Sequence, residues 1–215
     1  MYIFSMDNPF FQFIGKLVDL VWLNILTLVC CLPIFTAGAA LSAMYSVLLK
    51  MALKEDGVIT KPFFRAFKKN LKDSVKIWIP SLFILLVMAM NIYLVYKGIL
   101  SSYPSLFIPV GISIGIISIA VIIFLNYALA LLARYDSSVK QTVKNAALLA
   151  IAYFPRSLCI LVIWLSPLAL ARISFSFLFF WGLYGLSFPG YFNAMILGNV
   201  FLKTEVLTGS ELENI

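Results

Sequence analysis

Six long apolar runs, at about 13–32, 37–53, 77–97, 106–133, 146–171 and 173–201, leave this chain few ways to fold. A helix needs roughly 20 apolar residues to cross the ~30 Å hydrocarbon core of a bilayer. Lipid offers no hydrogen bonds to the backbone, so such runs must satisfy their peptide groups internally, as helices or as a closed barrel. No regular alternation of apolar and polar residues supports a barrel. The pattern predicts an all-α polytopic transmembrane bundle of about six spans, forming one domain over residues 1–215. The second run is short, which leaves open five spans plus a re-entrant segment. Composition agrees: 63% of residues are hydrophobic and 12% charged, where soluble domains hold about 45–50% and 25%. A soluble enzyme, a disordered regulator and a disulfide scaffold are all excluded.

Several chemistries lack their residues. The chain has no histidine, which removes the imidazole base, the usual zinc and haem ligands, and HExxH-type sites. There is no GxxxxGK[ST] loop for a nucleotide phosphate. Neither paired intramembrane aspartates nor a serine dyad can be assembled, so no catalytic residue, metal or cofactor is expected and the protein reads as a non-enzyme. Cys30, Cys31 and Cys159 sit in apolar runs and read as buried reduced thiols. A cleavable leader is disfavoured, because residues 1–15 hold no basic side chain and include Asp7.

The net charge of +7 marks a membrane side rather than a nucleic-acid partner. If residues 54–76 face the cytoplasm, thirteen of the sixteen lysines and arginines fall on that side. Lys97 and Arg172 fall outside, and Arg156 is ambiguous. The positive-inside rule then puts both termini in the cytoplasm for an even number of spans. Within this belt, residues 61–76 have helical amphipathicity. Lys61, Arg65, Lys68, Lys72 and Lys76 share one face, while Phe63, Phe64, Phe67, Leu71 and Val75 gather on another. This predicts an amphipathic cytoplasmic interfacial helix, either lying on the inner leaflet or docking a cytoplasmic partner through Phe63, Phe64, Arg65, Phe67, Lys68, Lys69 and Lys72. A fainter copy follows the fourth run, where Lys140 and Lys144 precede Phe154-Pro155-Arg156. If that echo is real, residues 139–154 lie along the membrane surface and the fifth span starts near Ser157.

Between the first two runs, Pro33 ends one helix and Thr36 is placed to cap the next. Gly38, Ser42 and Ser46 then give the second run a smooth face, as Gly111 and Gly115 do in the fourth. The last run is too long for one straight span, and Ser187-Phe188-Pro189-Gly190 is its expected break. Polar residues inside spans mark function or interhelical bonding. Here they are Asn24, Asn91, Asn126, Asn193 and Asn199, with Asp19 near the start of the first span, one turn from Lys16. No acidic group lies near the centre of a span, which weighs against proton coupling. A wet cavity lined by Asn24, Asn126 or Asn193 would favour transport, and dry packing would favour a scaffold.

The run Leu32-Pro33-Ile34-Phe35-Thr36-Ala37-Gly38-Ala39-Ala40, followed by Phe63-Phe64-Arg65-Ala66-Phe67-Lys68-Lys69-Asn70-Leu71, resembles the YesL family of bacterial membrane proteins. The likeness extends through Val139 to Ala147 and on to Tyr191-Phe192-Asn193, with Pro33, Thr36, Gly38 and Ala39 as its motif positions. It implies a protein of unknown function in the bacterial inner membrane, of a family often encoded beside carbohydrate importers of the ABC type. An accessory or partner subunit touching an ABC permease and its ATPase is therefore expected. The alternatives are a small solute transporter or channel acting as a homo-oligomer, and a membrane-embedded regulator or assembly factor. Glu55-Asp56-Gly57 is only a fragment of the EAA loop by which a permease meets its ATPase, so the chain is not a conventional permease.

Overall fold

A computed structural model describes residues 9–53, 58–97, 104–171 and 184–212. The described residues form seven α-helices and one turn of 3-10 helix, with no strand. The helices are α1 (Pro9–Cys31), α2 (Ala37–Ala52), α3 (Thr60–Tyr96), α4 (Pro104–Arg134), α5 (Val139–Ala152), α6 (Phe154–Ala171) and α7 (Ser187–Leu212); the 3-10 turn Ile34–Thr36 joins the first two. The architecture is an all-α bundle. By length and apolarity α1, α2 taken with the 3-10 turn before it (Ile34–Ala52), α3 and α4 are each able to cross a membrane. The α5–α6 pair makes a fifth candidate if its two arms, bent by 97°, count as one broken span. A sixth span over 173–201 is not found among the described residues. The aromatic run Phe175–Trp181, Arg172 and Glu55-Asp56-Gly57 lie outside them.

Helix α2 is the axis of the bundle, packed by α1, α3, α4 and α7. Its first turns carry Gly38, Ala39, Ala40, Ser42 and Ala43, all buried, and these small side chains let α3 come close. Farther along, Tyr45, Leu48 and Leu49 fill the wider space toward α4 and α7.

The third helix corrects an expectation. Residues 61–76 are not a separate interfacial helix but the first half of one 37-residue helix that continues into the apolar run 77–96. Phe63, Ala66, Asn70, Ser74, Ile77 and Ser81 are buried at spacings of three and four residues, so one helical stripe crosses the expected boundary without a break. Pro62 falls in the first turn, where its missing N–H is harmless. The apolar face that was expected to meet lipid is largely committed to the protein's own core.

The α1–α2 hairpin reaches only half-way along α3. Trp22 Nε1 donates to Thr60 Oγ1 at 3.0 Å near the start of α3, and Trp78 Nε1 donates to the Ile34 carbonyl at 2.9 Å at the hairpin tip. Beyond Trp78, α3 and the first half of α4 turn large apolar side chains outward, among them Phe83, Leu86, Met90, Ile112 and Ile116. The second half of α4, Leu125 to Leu132, is buried.

The sharp bend at Tyr153 lies where the echo of the basic helix placed a boundary, three residues before Arg156. The start of α7 at Ser187 coincides with the expected break. Pro189 then sits in the first turn of α7, where proline fits the helix.

Candidate functional site

The junction after Pro33 is built differently from its sequence reading. Thr36 occupies the N-cap position of α2 but makes no capping bond there. Its Oγ1 lies 2.7 Å from the Cys30 carbonyl and 2.8 Å from that of Pro33, so one hydroxyl proton is shared between two acceptors at the end of α1. The threonine closes the helix it follows. Two residues on, Gly38 meets α3: a Cβ there would lie 2.6 Å from Trp78 Cβ and 3.3 Å from the Ser74 carbonyl oxygen. Nearby, Asn70 Nδ2 donates to Ser42 Oγ at 3.0 Å. Pro33, Thr36, Gly38 and Ala39 thus form one packed knot of α1, α2 and α3, with Ala39 fully buried and Pro33 exposed. The stretch containing this knot, residues 20–92, matches the profile of a family described as "Protein of unknown function, DUF624". No curated protein and no solved structure matches the chain.

The intramembrane polar residues separate into different roles. Asn24 is buried, and its Oδ1 accepts from the backbone N–H groups of Leu186 and Ser187 at 3.0 and 3.2 Å. It supplies from α1 a cap for the start of α7, over a sequence separation that no local motif reveals. Asp19 lies exposed on α1, away from the interior.

Asn126 and Asn193 converge with two aromatic residues, Tyr45 and Trp164. Tyr45 Oη donates to Asn126 Oδ1 at 2.7 Å, and Asn126 Nδ2 donates to the Ile122 carbonyl at 2.8 Å. Trp164 and Asn193 flank the same hydroxyl, yet the Trp164 Nε1 and both polar atoms of the Asn193 amide are buried without a hydrogen bond of good geometry. One polar side chain each from α2, α4, α6 and α7 therefore meets inside the bundle. A signal for Tyr45 was present, since it follows Gly38 and Ser42 on one helical face. Trp164 had none.

Beside this cluster lies a cavity of about 290 Å³, walled by Leu41, Trp78, Leu85, Leu125, Leu129 and Leu161, with Tyr45, Asn126 and Trp164 on its edge. Its lining residues come from α2, α3, α4 and α6, and α3 and α6 both pack on α4. The walls are almost wholly apolar, so this is neither a wet pathway nor fully dry packing. A buried polar group without a partner costs on the order of 1–3 kcal/mol, so Trp164, which lines the cavity, gains from a polar visitor. Among the described residues, no three His, Cys, Asp or Glu side chains gather as a metal site requires.

The expected docking residues do not act as one set. Phe63 is fully buried and stacks on Phe67 at 6.4 Å between ring centroids. Phe64 is partly exposed, and Arg65, Lys68, Lys69 and Lys72 stand out on the free side of α3. Lys69 pairs with Asp136 in the link from α4 to α5, which brings that link beside this ridge, and α5 packs on α3.

Proposed function

We propose that this protein is a non-enzymatic polytopic subunit of the bacterial inner membrane that docks onto the machinery of a carbohydrate importer of the ABC type. The reading rests on one observation: Arg65, Lys68, Lys69 and Lys72 are exposed on a helix whose opposite face, Phe63, Ala66, Asn70 and Ser74, is locked into the core. A basic ridge held this way meets a partner without first being ordered, so association loses little conformational freedom. The resemblance to the YesL family supplies the partner, an ABC permease or its ATPase, and the lysine-rich side is then cytoplasmic, with both termini.

The test is co-migration of the full-length chain with a neighbouring permease and ATPase after mild solubilisation. Charge reversal of Lys68 and Lys72 abolishes that co-migration if the ridge carries it. Separate migration of the wild-type proteins, together with sugar uptake unchanged on deletion of this chain, overturns the proposal. Binding without any effect on uptake rate turns it into a regulator or assembly factor.

A second reading, a homo-oligomeric carrier for a small solute, would use the cavity edged by Tyr45, Asn126 and Trp164, whose apolar walls suit an apolar solute. Flux into liposomes containing this chain alone distinguishes it.

A further inference from the structure

The elbow between α5 and α6 has surface chemistry that neither the docking ridge nor the cavity uses. Helix α5 turns Thr142 and Ala146 into the bundle. Its outer side changes character along its length: Lys140 and Lys144 come first, Leu148 and Ile151 follow, 56% and 76% exposed, and Phe154 at the start of α6, 58% exposed, continues the strip. The bend of 97° then turns the chain into α6, where Leu158 and Val162 are exposed in turn. Next to the bend, Arg156 lies 5.1 Å from the centre of the Tyr153 ring. Its Nη1 is buried without an acceptor, and no acidic side chain pairs with it among the described residues.

We infer that α5 is an in-plane membrane anchor, with its last two turns among acyl chains and its basic groups on the headgroups of anionic lipid. Three features make lipid the occupant rather than a protein. The exposed apolar strip runs on without interruption into the outer face of α6, a helix apolar enough to sit in the bilayer. A helix nearly perpendicular to such a segment lies along the interface, where a basic first half and an apolar second half match headgroups and acyl boundary in turn. Among the described residues no carboxylate neutralises the Arg156 guanidinium at the bend, and lipid phosphate is the oxyanion the interface supplies at high density. This inference is independent of any importer partner.

Depth-dependent quenching tests it on the full-length chain. In a background with Cys30, Cys31 and Cys159 replaced by alanine, Leu148→Cys and Ile151→Cys are labelled with bimane. The protein is then reconstituted into vesicles of phosphatidylcholine with phosphatidylglycerol. Both labels should emit at blue-shifted wavelength and lose most of their emission when the acyl chains are brominated. Bimane on Lys72→Cys should behave as in water. Red-shifted, unquenched emission at 148 and 151 means that α5 stands in solvent. Blue-shifted emission that bromine leaves alone means that another protein copy covers it. Either result overturns the inference. For the headgroup contact, native mass spectrometry should show phosphatidylglycerol retained over phosphatidylcholine, with retention lost in Arg156→Gln and kept in Arg156→Lys. Equal retention in wild type and Arg156→Gln removes the phosphate from the account.

Discussion

Replacing Gly38 with alanine adds one methyl group, and the structure gives the sign of its effect. The new Cβ would stand 2.6 Å from Trp78 Cβ and 2.9 Å from Trp78 Cγ, with the Ser74 carbonyl oxygen at 3.3 Å. Rotation of the tryptophan ring cannot relieve the first contact, because Cβ is fixed to the backbone. Helices α2 and α3 must therefore move apart where Asn70 bonds Ser42 and Trp78 bonds Ile34. Overpacking of this kind costs about 1–3 kcal/mol, and a clash that no rotamer relieves belongs at the upper end. Alanine returns about 1 kcal/mol through its better helix propensity. The net expectation is a loss of about 2 kcal/mol, or a fall of several degrees in Tm in detergent followed by circular dichroism. Gly111→Ala and Gly115→Ala are the controls, because a Cβ at either position meets nothing within 4 Å. They should gain up to about 1 kcal/mol from propensity alone. Trp78→Ala in the Gly38→Ala background should fail to restore stability, since alanine retains the offending Cβ, whereas Trp78→Gly should recover part of it. If Gly38→Ala melts at or above wild type, as the controls do, the close approach of α2 and α3 is wrong.

Asn24→Ala strips the cap from α7 and leaves the Leu186 and Ser187 N–H groups unpaired; a loss of about 1–2 kcal/mol is expected, with faster hydrogen exchange confined to the start of α7. Thr36→Val keeps the shape but removes the shared proton at the end of α1, costing about 1 kcal/mol by thermal melting, while Thr36→Ser should stay near wild type. Tyr45→Phe orphans Asn126 Oδ1 and removes the hydroxyl that Trp164 and Asn193 flank, so a loss of about 1–3 kcal/mol is expected in the same assay. Lys69→Ala breaks only an exposed pair with Asp136 and should shift stability by no more than about 1 kcal/mol, with less effect as salt rises.

How far the sequence carries depends on whether the decisive partner is near in the chain. Run lengths give the helices, because lipid leaves the backbone only helices or a closed barrel and no alternation supports the barrel, and Pro33 and Ser187 mark real boundaries. The amphipathic pattern of 61–76 was also legible, but its apolar face is equally suited to lipid, a partner or the protein's own core. Only the stripe continuing through Ile77 and Ser81 favours the core, and it is hidden among residues that are apolar on every side. Thr36 shows a related ambiguity: its hydroxyl is within reach of a following N–H and of the preceding carbonyls, and the 3-10 turn selects the carbonyls. The Asn24 cap on α7 and the meeting of Tyr45 with Trp164 depend on contacts more than 100 residues apart, for which one sequence holds no local sign.

The register of α3 carries a consequence for the membrane boundary. At 1.5 Å per residue the helix is about 55 Å long, and the 18 residues after Trp78 already span about 27 Å, close to the full hydrocarbon thickness. The α1–α2 hairpin, however, lies beside the half that precedes Trp78, the half bearing Lys61, Arg65, Lys68, Lys72 and Lys76. A lysine or arginine held at the bilayer centre costs about 2.5–3.5 kcal/mol on insertion scales, so five of them in lipid would cost about 12–18 kcal/mol, as much as a domain's whole stability. That flank of α3 must be in water. On α1, meanwhile, Val18, Trp22, Val29 and Leu32 are exposed and apolar. These two surfaces lie within one bundle, wet on the α3 side and greasy on the α1 side, so the boundary runs obliquely across it instead of cutting every helix at one height. Water-soluble maleimide should accordingly label single cysteines at 65, 68 and 72 and spare those at 18, 25 and 29. Equal labelling of the two sets would mean that the half of the bundle before Trp78 has no lipid-facing side.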